Sequence, residues 1–320
     1  YPLFYKIGED MIYFIKRICI MIFTLFFVSV ISFSVFKIIP GDPALSKLGI
    51  EATQEQIDML RTELMLDKPL TTQYIYWAKN ILKGDLGESI QFSRPIKELI
   101  GERIFVTLSL GIYAILIAII VGIPIGILNA KYNNTKFGTI LSIFSQMGLA
   151  IPEFWLGVIF LIIFGIIFKL FSMKYISFSE DPISYIRIIT LPAFALAISR
   201  VSVVSRHMKN IVLEEQKKDY VRTAYSKGLS TNKIYFYHIL QNALIPLITI
   251  IGMLTAGVLG GAIIIEQVFN LPGIGTLLIN GVTTRDIPLV EAIITYIASV
   301  VVIINFLIDM LYRIIDPRIS

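Results

Sequence analysis

The sequence is poor in charge and nearly empty of the residues that do chemistry. Only 16% of its 320 residues are Asp, Glu, Lys or Arg, against about a quarter in an ordinary soluble domain. Cys19 stands alone in an apolar run, so no internal disulfide can form and a packing role suits it. The two histidines, His207 and His238, are too far apart to read as a metal site, and no metal is expected. There is no G-x-x-x-x-G-K-[ST], no H-E-x-x-H and no G-x-S-x-G. Those absences exclude a P-loop for ATP, a zinc-helix protease and a nucleophile-elbow hydrolase.

What is present is apolar surface. Ala, Val, Ile, Leu, Met, Phe, Trp, Tyr and Cys make up 56% of the chain. They are gathered into runs of roughly 20 residues, the length that crosses ~30 Å of hydrocarbon. Six spans are expected, all helical: 18–39, 104–130, 138–171, 188–204, 243–265 and 289–312. The third exceeds one crossing and is interrupted at Pro152, which predicts a kink or a split. The formal charge of +5 is read as a topology signal, not as nucleic-acid binding. Placing the basic short loops inside puts Lys16, Arg17, Lys131, Lys136, the 200–233 cluster, Arg313 and Arg318 on the cytoplasmic side. Both termini follow them there.

The expected organisation is therefore a cytoplasmic segment 1–17, a first transmembrane helix 18–39, an extracytoplasmic helical region 40–103 and a membrane core 104–320. No cleavable signal peptide is evident. Met11 reads as a natural start, with Tyr1 to Asp10 an appended or unusual leader. In the outer region, Thr53 and Gln56 have capping-box spacing, with Ile57, Leu60 and Leu64 on one face of the helix that follows. Pro69 opens a second helix carrying Tyr74, Trp77 and Ile81, and "KGDLGES" (83–89) breaks it.

Charges within the spans are few. Glu266, Asp309 and Arg200 lie near span ends, where snorkelling or a local pair is the simpler reading. Glu153 follows the Pro152 break and is placed to face a cavity. The stretch "DYVRTAYSKGLSTNKIYFYHILQNALIP" (219–246) is more distinctive. Residues 214–227 are expected to form a helix, Gly228 to supply the left-handed residue that ends it, and Ser230 to cap the next. An ordinary basic loop is the plainer alternative. With no engine of its own, a many-span chain with such a corner points to energy supplied by a partner pressing on it. The coupling segment is expected at 206–242.

The residues resemble a known family. "YVRTAYSKGLS…HILQNALIP" resembles the cytoplasmic coupling segment of ABC importer permeases, specifically the first subunits of the oligopeptide, dipeptide and nickel branch. "IIPGDPALSKLG" (38–49), "LMLDKPLTTQYIYW", "GDLGESI", "GLAIPEFWLG" (148–157), "GGAIIIEQVFNLPGIGTLL" (260–278) and "LIDMLYRIIDPRI" match in order, so the resemblance covers residues 11–320. Two features depart from the general permease signature. Arg222-Thr223-Ala224 stands where E-A-A is usual, although Ala224 and Gly228 keep their places, and Pro246 lies farther from the glycine. Glu153 also stands where a small residue is expected.

The resemblance implies the all-α type I importer permease fold with about six spans. It implies a homologous second permease, two cytoplasmic ATPase subunits that use ATP and Mg, and an external binding protein. No cofactor is expected on this chain, and no catalysis. Tyr220, Arg222, Thr223, Ala224, Lys227, Gly228 and Leu229 would couple to an ATPase, with Leu229 as the apolar anchor. Pro40, Gly41, Asp42 and Pro43 would face the binding protein, and Glu153 and Glu266 would line the pathway. Oligopeptides are the expected cargo. Dipeptides, nickel or a metal–metallophore complex, and glutathione are the alternatives, and a self-contained secondary transporter or channel is the alternative of another class.

Overall fold

The computed structural model describes residues 2–38, 48, 52–63, 65–171 and 174–315. The long helices are α1 (Pro2–Ile38), α4 (Ile96–Lys131), α7 (Pro182–Glu215), α10 (Leu240–Val268) and α12 (Ile287–Ile315). Shorter ones are α2 (Gln54–Glu63), α3 (Leu70–Leu82), α5 (Lys136–Ala150), α6 (Glu153–Phe160), α8 (Asp219–Ser226), α9 (Thr231–Lys233) and α11 (Ile274–Thr283). Wider π-type turns, Leu161–Ile167 and Ile234–Ile239, extend α6 and join α9 to α10.

Five helices are long and apolar enough to cross a membrane. The pair Lys136–Ala150 and Glu153–Ile167 makes a sixth, bent by 98°. The break falls where Pro152 predicts it. Pro152 cannot donate to the preceding turn, and Ile151 before it is held extended, as a residue preceding proline prefers. The spans leave large apolar side chains uncovered: Phe23 is 64% exposed, Phe144 67% and Met253 69%. A soluble protein of this size would bury such residues; lipid has no reason to.

Two compact units emerge. The first comprises Tyr1–Phe105 with Thr276–Phe306, and the second Val106–Gly275 with Leu307–Ser320. Residues 276–306, expected within the stretch 104–320, group with the first unit. The cause is a set of long-range polar ties. Asp286, almost fully buried, accepts from the Ser89 hydroxyl at 2.5 Å and the Gln91 N–H at 3.0 Å. Its other oxygen caps α12 through the Leu289 N–H at 3.2 Å. The Ser32 and Thr295 hydroxyls meet at 2.7 Å. The helices expected after Thr53 and Pro69 form: Gln56 N–H donates to Thr53 Oγ1 (3.3 Å) while Thr53 N–H donates to Gln56 Oε1 (3.0 Å), a reciprocal capping box. Tyr74 and Trp77 of α3 stack on Phe33 of α1. Gly84 and Gly87 both take positive φ after α3 ends.

In the second unit α7 is the hub, and α5, α6 and α10 all pack on it. Asp181 starts α7 by accepting from the Ile183 and Ser184 N–H groups, with Pro182 at the first helical position. Its buried face is built from small residues, including Ala193, Ala195, Ala197, Ser202 and Ser205, which let neighbouring backbones come close. At Gly126 of α4 a Cβ would lie 2.7 Å from Ser205 O and 2.6 Å from Met208 Cβ, so the crossing requires glycine.

Candidate functional site

The stretch singled out in the sequence folds as a braced corner. The expected helix over 214–227 is in fact two. α7 ends at Glu215, Lys218 is extended (ψ 147 is found at the comparable Pro69 cap, 150° here), and α8 starts at Asp219. No glycine or proline forces this break; "EEQKKD" is made of residues that tolerate helix well. Packing forces it. Val221 and Ala224, three apart on α8, are buried with Met208, Val212, Ile234, Tyr235 and Ile239, which a straight continuation of α7 would not allow.

Glu215 fixes the turn chemically. Its side chain is 9% exposed, and both oxygens are engaged. Oε1 accepts from Lys218 Nζ at 2.5 Å, and Oε2 accepts from the Tyr220 hydroxyl at 2.8 Å. Burial, then the neighbouring carboxylate, push the Tyr220 phenol up to about 12. The phenol therefore stays a donor.

The far end of α8 closes as a Schellman motif. Gly228 N–H donates to Tyr225 O (2.9 Å), Leu229 N–H donates to Ala224 O (3.3 Å), and Gly228 sits at φ +74°. A non-glycine residue would be strained there. Ser230 occupies the cap position before α9 as expected, but its side chain makes no cap hydrogen bond.

These contacts sort the predicted residues. Arg222, Thr223, Lys227 and Gly228 are exposed, and the Arg222 side chain is 86% exposed beside Asp219 at 3.8 Å. Tyr225, not singled out in the sequence, shares this outer face at 47% exposure. Ala224 faces inward, and Tyr220 is held by Glu215. Leu229 is half-buried against the chain's own core, so its first role is to seat the corner. The sequence reading missed Glu215 and Lys218. Their one signal was an acidic residue five positions before a tyrosine, too common a pattern to stand out.

Pro40, Gly41, Asp42 and Pro43 lie outside the described residues. The two acidic candidates inside the second unit part company. Glu266 is wholly buried. Oε1 accepts from the Thr107 hydroxyl (2.6 Å) and Oε2 from the Gly275 N–H (2.7 Å), while Thr107 Oγ1 accepts from the Ile274 N–H (2.9 Å). It anchors the first turn of α11, where free N–H groups favour a carboxylate. Both oxygens of Glu266 are thus engaged within the second unit. Glu153 opens α6 just after the 98° bend and pairs with Arg200 of α7. Ser199 Oγ donates to Glu153 at 2.7 Å, and Arg200 also donates to Leu196 O at 3.1 Å. Arg200 is buried, whereas the Glu153 side chain is 26% exposed. The pair keeps a charge within the spans neutralised.

Five or six apolar spans, a hub helix and a projecting, internally braced basic corner define a multi-pass membrane component of a transport system. Residues 122–320 match the family described as binding-protein-dependent transport system inner membrane component, and residues 11–111 match the N-terminal family of the same membrane component. The chain belongs to this family. It is 36% identical over 306 residues to a Brucella abortus (strain 2308) protein named as a peptide transport system permease, covering 95% of this chain and 98% of the other. It is 33% identical over 312 residues to the oligopeptide transport system permease protein AppB of Bacillus subtilis (strain 168), covering 96% and 99%. A Sinorhizobium fredii (strain NBRC 101917 / NGR234) protein named as a peptide ABC transporter permease is 32% identical over 309 residues, covering 96% and 99%.

Proposed function

We propose that this chain is one permease of an ATP-driven importer, forms half of the translocation pathway with a homologous second permease, and carries peptides, oligopeptides first. The names borne by its full-length relatives support the cargo class. Two cytoplasmic ATPase subunits bind and hydrolyse ATP with Mg, and an external binding protein delivers the peptide. Both termini and the 219–229 corner lie on the cytoplasmic side, in keeping with the basic residues gathered there.

One observation carries the coupling step: α8 is cross-braced to the hub helix yet presents Arg222, Tyr225 and Lys227 outward. A short helix fixed in this way transmits force instead of folding away. The Arg222 and Lys227 cations make charge-assisted contacts in a cleft of one ATPase. Closure of the ATPases then pushes α8, and through Glu215 and the Val221/Ala224 seat it moves α7. Because α5, α6 and α10 pack on α7, its displacement shifts the helices around the pathway. Glu153, partly exposed at the bend, remains the acidic candidate for the pathway wall.

The test is affinity purification of the chain from its native membranes, beside a Gly228→Pro variant that loses the Gly228 N–H and cannot adopt φ +74°. A second permease and P-loop ATPases should accompany the native chain, and the ATPases should drop out with the variant. A native chain that purifies intact, without any ATPase, while its membranes still take up peptide would refute the proposal.

A further inference from the structure

The ion pair of Glu153 and Arg200 has one open side. Glu153 stands at the break midway along the bent span Lys136–Ile167, and Arg200 stands near the middle of α7. Both are therefore at membrane depth, where a charged group is costly. One oxygen of the carboxylate is fully used. Oε1 accepts from Arg200 Nη1 and from the Ser199 hydroxyl, the latter at 2.7 Å. Arg200 is committed in turn. Its Nη1 also donates to Leu196 O (3.1 Å) and Ser199 Oγ (2.8 Å), and its Nη2 donates to Gly257 O of α10 (3.5 Å). These contacts hold the carboxylate in one orientation. Oε2 is different. It accepts no hydrogen bond among the described residues, and it is not sealed in the interior.

The surface onto which Oε2 opens is not built for lipid, because hydrocarbon has no donor for a bare carboxylate oxygen. Its neighbours on α10 are small. A Cβ on Gly261 would lie 2.5 Å from Oε2, and one on Gly257 or Gly260 would meet no atom within 4 Å. Gly257 and Gly260 are exposed in mid-helix, where glycine is unfavourable and the chain's own packing does not call for it. They leave a low, uncommitted wall beside one fixed acceptor. Such a wall admits side chains of any size, while the acceptor addresses a group that every unmodified peptide carries. An apolar helix of the second permease laid over this wall would leave Oε2 unpaired, at the cost of its desolvation. A passing cation with N–H donors would not.

We propose that Glu153 Oε2 takes an ammonium group of the peptide in transit, so that this permease selects for a charged amino group at membrane depth. This rests on the peptide-importer reading above and names the group that its acidic wall residue recognises. An ammonium brings three N–H donors and a positive charge, and it pairs with a carboxylate oxygen in a charge-assisted bond. The peptide N-terminus and a lysine side chain both carry this group. An N-acetylated peptide without lysine carries neither, and it leaves Oε2 unpaired.

The experiment uses the complete transporter in proteoliposomes, with ATP enclosed and its binding protein outside. Two isotopically distinguished forms of one lysine-free peptide, free and N-acetylated, are loaded on the binding protein in equal amounts. Uptake by the native transporter should favour the free form about tenfold, the equivalent of one charge-assisted bond. In a double variant, Glu153→Gln with Arg200→Met, the ratio should fall close to one. An N-acetylated peptide that contains lysine separates the two sources. Imported like the free form, it shows that any ammonium serves; imported like the acetylated form, it shows that the N-terminus alone does. Equal uptake of both forms by the native transporter, which needs no variant, would overturn the proposal, and so would a preference that the double variant keeps. Either result leaves the peptide-importer reading intact, whereas a native transporter that imports neither form removes that reading and the ammonium site together.

Discussion

Replacing Tyr220 with Phe removes a single oxygen from the corner and nothing from its surface. In the native chain that hydroxyl donates to Glu215 Oε2 at 2.8 Å, next to a carboxylate that is 9% exposed. A hydrogen bond to a charged acceptor contributes about 1.5–3 kcal/mol. Glu215 retains Lys218, but the Lys218 side chain is 57% exposed and its ion pair is screened, so it is worth no more than ~1 kcal/mol. The loss is therefore poorly compensated. At 1.4 kcal/mol per factor of ten, local opening of α8 should become roughly ten- to a hundred-fold more frequent. Amide hydrogen exchange of the intact complex reads this directly: peptides over 219–229 should exchange faster by that factor, while those over 188–204 should not change. Tyr225→Phe, which alters an exposed hydroxyl on the same helix, is the control and should leave exchange within about twofold of native. If Tyr220→Phe exchanges no faster than Tyr225→Phe, the bond to Glu215 does not brace the corner, and the lever argument loses its fixed point.

Other consequences follow from the same geometry. Gly228→Ala meets no atom within 4 Å of the added methyl, so it should cost only the left-handed backbone strain, about 1–2 kcal/mol. Gly228→Asn should cost less, and thermal melts of the complex would rank the two. The raised Tyr220 pKa favours the neutral phenol in the folded state. Its contribution is thus fully present below pH 10 and lost as pH climbs from 10 toward about 12, where exchange over 219–229 should accelerate. Arg200→Met strands the Glu153 carboxylate at the bend and should destabilise the chain by about 3–5 kcal/mol. The double variant Glu153→Gln with Arg200→Met should recover much of that, as a fall and partial return in the amount of folded protein extracted.

Features that depend on neighbours in sequence were legible from it. Pro152 announced the bend because proline limits both itself and the residue before it. Thr53 and Gln56 announced a capping box, and Gly228 announced a left-handed helix end. Each depends on a few adjacent residues and survives whatever packs around it. Features that depend on distant partners were not legible. The break after Glu215 occurs in a run of good helix formers, and only the burial of Val221 and Ala224 beside Met208 and Ile234 explains it. Asp286 gave no hint that it reaches Ser89 and Gln91, the contact that draws residues 276–306 into the first unit. From its position near a span end Glu266 read as a snorkelling or locally paired acid, and only the family resemblance implied a place in the pathway wall. Its actual role, holding the first turn of α11, needed the positions of Thr107 and Gly275.

The central claim is that the outer face of α8 meets an ATPase. The most direct measurement places a photo-crosslinking amino acid at Arg222 and irradiates native membranes. A matched probe at Glu180, expected on the opposite side of the membrane, serves as reference. The account predicts a crosslink from position 222 to a P-loop ATPase subunit, weakened by Gly228→Pro, and no such product from position 180. An ATPase crosslink from 180 but not from 222, or none from either in membranes that still import peptide, would contradict it.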